Sequence, residues 1–195
     1  MTARHTVPET NTFRIRPARR EDAGAILDIY AHYVLHTAVS YEYEVPSLPE
    51  FQARMDRTLE KYPYFVAVRD GTILGYAYAG PFVGRAAYDW SAEVTIYLAP
   101  DKRRQGIGRA LYETLEAALA DMGIRNLYAC IGWPEPEDEY LTRDSAAFHA
   151  RLGYVTVGTF RKCGRKFGRW YDMIWMEKLI GPHPAEQAPV RPYGR

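Results

Sequence analysis

Seven consecutive residues, Arg103-Arg104-Gln105-Gly106-Ile107-Gly108-Arg109, gather glycines and cations in one short run. Glycines leave room for a ligand to approach the backbone. The first N–H groups of a helix that follows have no internal partner, and the helix dipole adds partial positive charge there. Such a turn suits a phosphate or pyrophosphate, although a tight turn with solvated arginines would have the same composition. No Gly-Lys-Ser/Thr follows, so the run is not a Walker loop, and Leu111 stands where a dinucleotide fingerprint has its third glycine. Upstream, Glu93 lies between Ala92 and Val94, where a bare carboxylate is costly to bury. A carboxylate there can take a proton from an arriving ammonium, directly or through water; the other reading is an ion pair with an arginine. His149 can supply a proton near neutral pH, or be a satisfied structural histidine. Tyr97, on the strand face of Glu93, is a rival for that role. Cys130 and Cys163 have no metal-ligand spacing and sit in strand-like stretches, which predicts buried, reduced thiols and no metal.

The elements that must position these groups are legible around them. Glu93, Thr95 and Tyr97 alternate with Val94, Ile96 and Leu98, the period of a strand, and Pro100-Asp101 breaks it. Ile107, Leu111, Leu115, Ala118 and Met122 recur at helical spacing, and Gly123 supplies the stop. Before this unit come a strand ending at Pro17, a helix opened by Arg20-Glu21-Asp22, and a second helix capped by Ser47 and running to about Lys61. A hairpin follows, turning at Asp70-Gly71. After it come a short strand from Asn126, a long acidic loop from Gly132 to Arg143, a helix capped by Asp144 or Thr142 and stopped by Gly153, and two final strands joined by the basic segment 161–170. The order β-α-α-β-β-β-α-β-α-β-β predicts an α/β domain with one mixed sheet flanked by helices.

At 195 residues a single domain is expected. Residues 1–11 read as a flexible lead and 12–180 as the domain; 181–195, with four prolines, reads as a disordered tail. A net charge of +1, from 25 basic and 24 acidic residues, argues against bulk capture of nucleic acid or membrane. No apolar run reaches membrane-span length and no signal-peptide core opens the chain, which predicts a cytoplasmic protein.

The Arg103-x-x-Gly106-x-Gly108 run, placed after an acid-bearing strand and opening a long helix, resembles the coenzyme A loop of the GNAT superfamily of N-acetyltransferases. Five further blocks resemble its phosphinothricin N-acetyltransferase subfamily: Tyr78-Ala-Gly-Pro81; Arg85 with Ala87-Tyr88-Asp89-Trp90; Glu93; Ser145-Ala-Ala-Phe-His149 with Leu152-Gly153-Tyr154; and Lys166-Phe-Gly-Arg-Trp-Tyr-Asp172. The resemblance covers about Phe13 to Lys178. It implies the GNAT fold, with about seven strands and about four helices, and acetyl transfer from acetyl-CoA to the α-amine of a small amino-acid analogue such as phosphinothricin or methionine sulfoximine or sulfone. It implies Glu93 as general base and His149, or Tyr97, as general acid. Backbone groups of Ile96, Tyr97 and Leu98 would pair with pantetheine, N–H groups near Leu98 would polarise the thioester carbonyl, and residues 103 to 109 would hold the pyrophosphate, with Ser145 nearby. Tyr41, Arg85 and Tyr88 would hold the acceptor, and Lys166 and Arg169 would meet an anionic ligand or a neighbouring subunit. A homodimer is also implied, with the final strands as candidate contact. Thr142 stands where the superfamily often has asparagine, and the acidic loop is longer than in the herbicide-resistance enzymes. A protein or peptide acetyltransferase and a non-catalytic acyl-CoA-binding module are the competing readings.

Overall fold

The computed structural model describes residues 12–194; the lead expected at 1–11 lies outside the described residues. The elements are β1 (Arg14–Pro17), α1 (Ala23–His36), α2 (Leu48–Leu59), β2 (Tyr64–Arg69), β3 (Thr72–Pro81), β4 (Ser91–Leu98), α3 (Ile107–Met122), β5 (Asn126–Trp133), α4 (Asp144–Arg151), β6 (Val155–Lys166) and β7 (Arg169–Leu179). Their succession is the one expected, and the seven strands form one mixed sheet in the order β1-β2-β3-β4-β5-β7-β6. The β4–β5 pair is parallel, whereas β3–β4 and β5–β7 are antiparallel.

Local chemistry sets the boundaries. Ser47 and Glu50 close a capping box at the start of α2, with the Ser47 N–H donating to Glu50 Oε2 at 2.8 Å. The β2–β3 turn takes positive φ at Asp70 (48°) and Gly71 (79°), the conformation a two-residue hairpin needs. At Gly123 the φ of 100° ends α3, and Ile124 N–H returns to Leu119 O at 3.0 Å. The apolar stripe of α3, Ile107, Leu111, Leu115 and Leu119, is fully buried against Leu127 and Ile174; each such side chain contributes about 1.5–3 kcal/mol. On the opposite face of the sheet, α1 and α2 cover Tyr64, Tyr76, Tyr78 and Tyr97.

Three expectations are corrected. The basic segment 161–170 is no separate link: β6 runs through it to Lys166, and the turn lies at Phe167-Gly168. The cap of α4 is Arg143, without a side-chain cap bond; Thr142 Oγ1 accepts from Asp144 N–H at 3.4 Å and Asp144 is the first helical residue. The stretch read as a disordered tail is laid along the domain. Trp90 Nε1–H donates to Ala188 O, Arg191 N–H to Met122 O and Tyr193 N–H to Lys61 O, each at 2.9 Å. The Tyr193 ring meets Phe65 edge-on at 5.7 Å. Its prolines suit an extended chain with few donors, and Val190 and Tyr193 anchor it. No described helix is long and apolar enough to cross a membrane.

Candidate active site

The parallel ladder between β4 and β5 lasts only three residues, Ser91↔Asn126, Ala92↔Leu127 and Glu93↔Tyr128. Beyond Glu93 the strands part: β5 stays paired with β7 out to Trp133 while β4 keeps only β3. Backbone direction alternates along β4. Because Ala99 N–H bonds Leu74 O at 2.9 Å, the amide groups of Tyr97 turn toward β3 and those of Ile96 and Leu98 turn into the gap. The Leu98 carbonyl there already accepts the Tyr33 hydroxyl at 2.6 Å. Of the three residues expected to offer backbone to a linear ligand, Tyr97 therefore offers its side chain instead. The gap holds a cavity of about 250 Å³ walled by Glu93, Ile96, Tyr97, Cys130, Ser145 and His149, among others.

The glycine-rich turn stands at the open end of this gap. Gly106 caps α3 with φ 80°, a conformation that favours glycine. Gly108 has a different reason. A Cβ there would lie 3.1 Å from the Phe148 ring and 3.6 Å from Ile96 Cδ1, so its missing side chain lets α4 approach α3 rather than admitting a ligand. The N–H groups of Ile107, Gly108 and Arg109 precede the first intrahelical bond, Ala110 N–H to Gly106 O at 3.1 Å. Gln105 braces the turn from behind, accepting from both Arg69 terminal nitrogens at 3.3 Å. Arg103 lies 5.9 Å over the Tyr33 ring and 4.0 Å from Asp144, and Arg109 lies 3.7 Å from Glu113, while Arg104 is exposed. These pairs are solvent-exposed and weak, so the guanidinium groups remain available to an anion.

Glu93 has no ion pair among the described residues, and burial alone raises its pKa above 4.5. Its charge is felt by Tyr78, Tyr112 and Cys130. The arginine partner that a structural reading requires is therefore missing, and the carboxylate faces the cavity as a base of raised proton affinity.

His149 is buried, 3% exposed, and both its ring nitrogens are engaged. Nδ1 lies 2.7 Å from the Ser145 carbonyl, which can only accept, so Nδ1 carries the proton. Nε2, 2.8 Å from the Tyr112 hydroxyl, then accepts from it. Burial pushes the imidazole down to about 4. In this arrangement the single N–H of the neutral histidine is bonded within its own helix to the Ser145 carbonyl and does not face the cavity, which speaks against the expected general-acid role. Tyr112, fully buried on α3 and lining the cavity, is the residue that sequence reasoning missed. Four residues after Gly108 on the apolar side of its helix, it reads as core; an aromatic hydroxyl one turn past the glycine turn was the available signal.

The expected acceptor residues are spread out. Arg85 and Tyr88 lie on the exposed loop before β4, outside the cavity wall, with Tyr88 6.1 Å edge-on to Phe82. Tyr41 sits behind the wall, its ring filling the space left by Gly164, where a Cβ would meet it at 2.5 Å. Its hydroxyl is buried with no partner among the described residues. The Lys166 ammonium is buried and donates to the Ser40 carbonyl at 2.6 Å, and Arg169 clamps Glu139 and Asp138 at 2.8 Å. Lys166 is thus engaged inside the fold and Arg169 in exposed ion pairs that tie the acidic loop to the β6–β7 hairpin. Both cysteines are exposed rather than buried, because β5 opens into the gap at Cys130 and Cys163 lies on the outer strand β6. The Cys130 thiol is pushed up to about 12 by partial burial and the nearby Glu93. No metal-binding group occurs among the described residues.

Residues 15–175 match the family model described as an acetyltransferase (GNAT) domain. The phosphinothricin N-acetyltransferase of Streptomyces viridochromogenes is 36% identical over 95% of this chain and 97% of its own length. That of Alcaligenes faecalis is 40% identical over 85% of this chain and 82% of its own. Among solved structures, a GNAT superfamily phosphinothricin acetyltransferase from Sinorhizobium meliloti, in complex with acetyl-CoA, superposes with a TM-score of 0.82 at 35% identity, covering 92% of this chain and 94% of that one.

Proposed function

The chain belongs to the GNAT acetyltransferase family and is an N-acetyltransferase with acetyl-CoA as cosubstrate; we propose that it acetylates the α-amine of an amino-acid analogue of the phosphinothricin or methionine sulfone kind, by direct transfer with Glu93 as base. A small-molecule amine as acceptor agrees with the named relatives. The observation that carries the mechanism is an unpaired, desolvated carboxylate at the point where β4 and β5 separate.

In this reading the gap-facing amides of Ile96 and Leu98 hold the pantetheine arm as an added strand would, and the α3 N-terminus with Arg103, Arg104 and Arg109 holds the pyrophosphate. An acceptor ammonium loses two protons on becoming an amide. One leaves to solvent before attack. Glu93 takes the second from nitrogen as the C–N bond forms and gives it to sulfur as the C–S bond breaks. Burial keeps the Tyr112 phenol protonated, and its single proton is given to His149 Nε2, so the pair lines the gap as a neutral wall and the proton for sulfur comes from Glu93. A screen of amino acids, sulfones, phosphinates and peptides, read by thiol release and corrected for acetyl-CoA hydrolysis, tests the acceptor class; turnover confined to peptides would overturn it. Glu93→Gln should lower kcat by about 100-fold or more with acetyl-CoA binding kept, and near-wild-type turnover would remove Glu93 from the mechanism. The exposed apolar groups Val155, Val157, Phe160 and Trp170 on the β6–β7 hairpin support a homodimer through that face; a monomer mass by light scattering would exclude it.

A further inference from the structure

The glycine-rich turn is held from outside itself. Arg69 is the last residue of β2, beside the hairpin turn at Asp70-Gly71. Side chains alternate along β2. Tyr64, Val66 and Val68 pack toward α1 and α2, whereas Phe65 and Ala67 pack with Ile107 and Leu111 of α3. Arg69 continues the second set, which carries its guanidinium to the N-terminal end of α3. There both terminal nitrogens donate to Gln105 Oε1 at 3.3 Å. The other end of the same amide, Gln105 Nε2, donates to Asp101 O at 3.4 Å. The Gln105 side chain thus spans the base of the turn, and the planar fork of Arg69 fixes which way its amide points.

The turn has a conformation that needs such a hold. Arg104 has a φ of 61° and Gly106 a φ of 80°. The left-handed region is disfavoured for a residue with a Cβ, so contacts beyond Arg104 have to keep it there. Left-handed residues in a turn bring successive N–H groups to one side, the concave arrangement that takes an anion. Gln105 stands between the two and reaches inward. It and Arg69 are half-buried, while Arg103, Arg104 and Arg109 are exposed. The start of the turn is tied to the same hairpin: Ala99 N–H bonds Leu74 O at 2.9 Å. Leu74 is the extra residue where the β2–β3 register slips from Ala67↔Gly75 to Val68↔Ile73, and such a bulge bends the strand that carries it. One hairpin end therefore grips the turn at both Ala99 and Gln105.

We propose that Arg69 is a positioning residue for the coenzyme: through Gln105 it keeps the backbone from Arg104 to Gly106 in its anion-accepting shape before acetyl-CoA arrives. The inference rests on the reading above in which this turn holds the pyrophosphate. A turn that is already ordered binds more tightly than one the ligand has to order. Arg69 is not among the residues walling the Glu93 cavity, so its effect falls on coenzyme affinity and not on the acetyl transfer. A thioester that lacks the pyrophosphate does not use the turn, and Arg69 is without effect on it.

The test measures kcat and KM for acetyl-CoA and for S-acetylpantetheine, which keeps the thioester and lacks the pyrophosphate. The proteins are the wild type, Arg69→Met, Gln105→Met and the double variant, with thermal melting as the check on folding. Arg69→Met should raise the KM for acetyl-CoA about 3- to 10-fold with kcat unchanged, and should leave kcat/KM for S-acetylpantetheine at the wild-type value. Gln105→Met should act in the same direction, and it carries the same comparison where Arg69→Met melts early. The double variant should be no worse than the worse single one, because both break one connection. Arg69→Lys keeps the charge without the fork and should recover only part of the loss. Equal losses on both thioesters, an unchanged KM for acetyl-CoA, additive losses in the double variant, or full recovery by lysine would each overturn the positioning role. With the wild type still preferring acetyl-CoA over S-acetylpantetheine, any of those results defeats the positioning role alone. A wild type that does not distinguish the two thioesters defeats the pyrophosphate reading of the turn, and the positioning role with it.

Discussion

The burial of His149, with both ring nitrogens engaged, has a consequence for stability that can be worked through. The imidazole has an ordinary value of 6.5 and is pushed down to about 4 in the fold. A histidine whose folded value is depressed costs nothing above the unfolded value, where both states are neutral. As pH falls below 6.5 the unfolded chain takes up a proton that the native chain refuses, and the native state loses stability until its own value near 4 is reached. At about 1.36 kcal/mol per pH unit, the interval from 6.5 to about 4 corresponds to roughly 3 kcal/mol. The group is nearly inaccessible, so solvent screening takes little from this figure. The perturbation is His149→Gln, which keeps an acceptor for the Tyr112 hydroxyl but cannot titrate. Urea unfolding of both proteins should be followed from pH 7.5 to pH 4. At the upper end the variant should be the weaker by about 1–2 kcal/mol, from the imperfect replacement of two buried hydrogen bonds. That deficit should shrink, and then reverse, as the medium is acidified, with a total swing of about 3 kcal/mol. A difference independent of pH would show that the imidazole titrates normally, and His149 would again be available as an acid.

Three further outcomes follow from the same structure. Glu93 is raised by burial above 4.5, so its unfavourable contribution is absent below 4.5, grows as pH rises from there to the folded value and is constant above it; Glu93→Gln should gain in melting temperature relative to the wild type between pH 4 and pH 8, and a melting difference independent of pH would contradict the desolvated carboxylate. Gly108→Ala places a methyl 3.1 Å from Phe148, so it should be less stable than the wild type despite the roughly 1 kcal/mol helical advantage of alanine; a more stable variant in urea would show that Phe148 yields freely. Deleting residues 181–195 removes the bonds to Trp90 Nε1, Met122 O and Lys61 O together with the Tyr193 contact and should cost about 2 kcal/mol in the same assay; a loss under about 0.5 kcal/mol would mean that the strap adds nothing.

What was legible in the sequence is what period and punctuation encode. The alternation of Glu93 to Leu98, the spacing from Ile107 to Met122 and the turn at Asp70-Gly71 each predict an element with one buried face, and each is found. The tail was misread because a segment stabilised by a few backbone bonds and two anchors has no period. The parting of β4 from β5 was hidden for a similar reason: Ile96 and Leu98 look like any half-buried strand, and only the register shows that β5 no longer pairs with them. The reason for Gly108 was out of reach because it depends on Phe148, forty residues along the chain. The partners of His149, the Ser145 carbonyl and the Tyr112 hydroxyl, were out of reach as well, since neither is a motif feature.

The strand period that made β4 readable also divides its labour. Odd residues send their side chains, Glu93, Thr95 and Tyr97, to the face covered by α1 and α2, and their amides to β3. Even residues send their side chains to the α3 face and their amides into the gap. One extended segment therefore presents a carboxylate and a phenol on one face, and backbone groups of Ile96 and Leu98 along the gap. Because the side-chain period is two, inserting one residue after Glu93 would exchange the two assignments for every position that follows. Tyr97 would turn its ring toward α3 and its amides toward the gap, and would no longer share a face with Glu93. Single substitutions along β4 alter one side chain at a time, whereas a change of register moves side chains and backbone groups together.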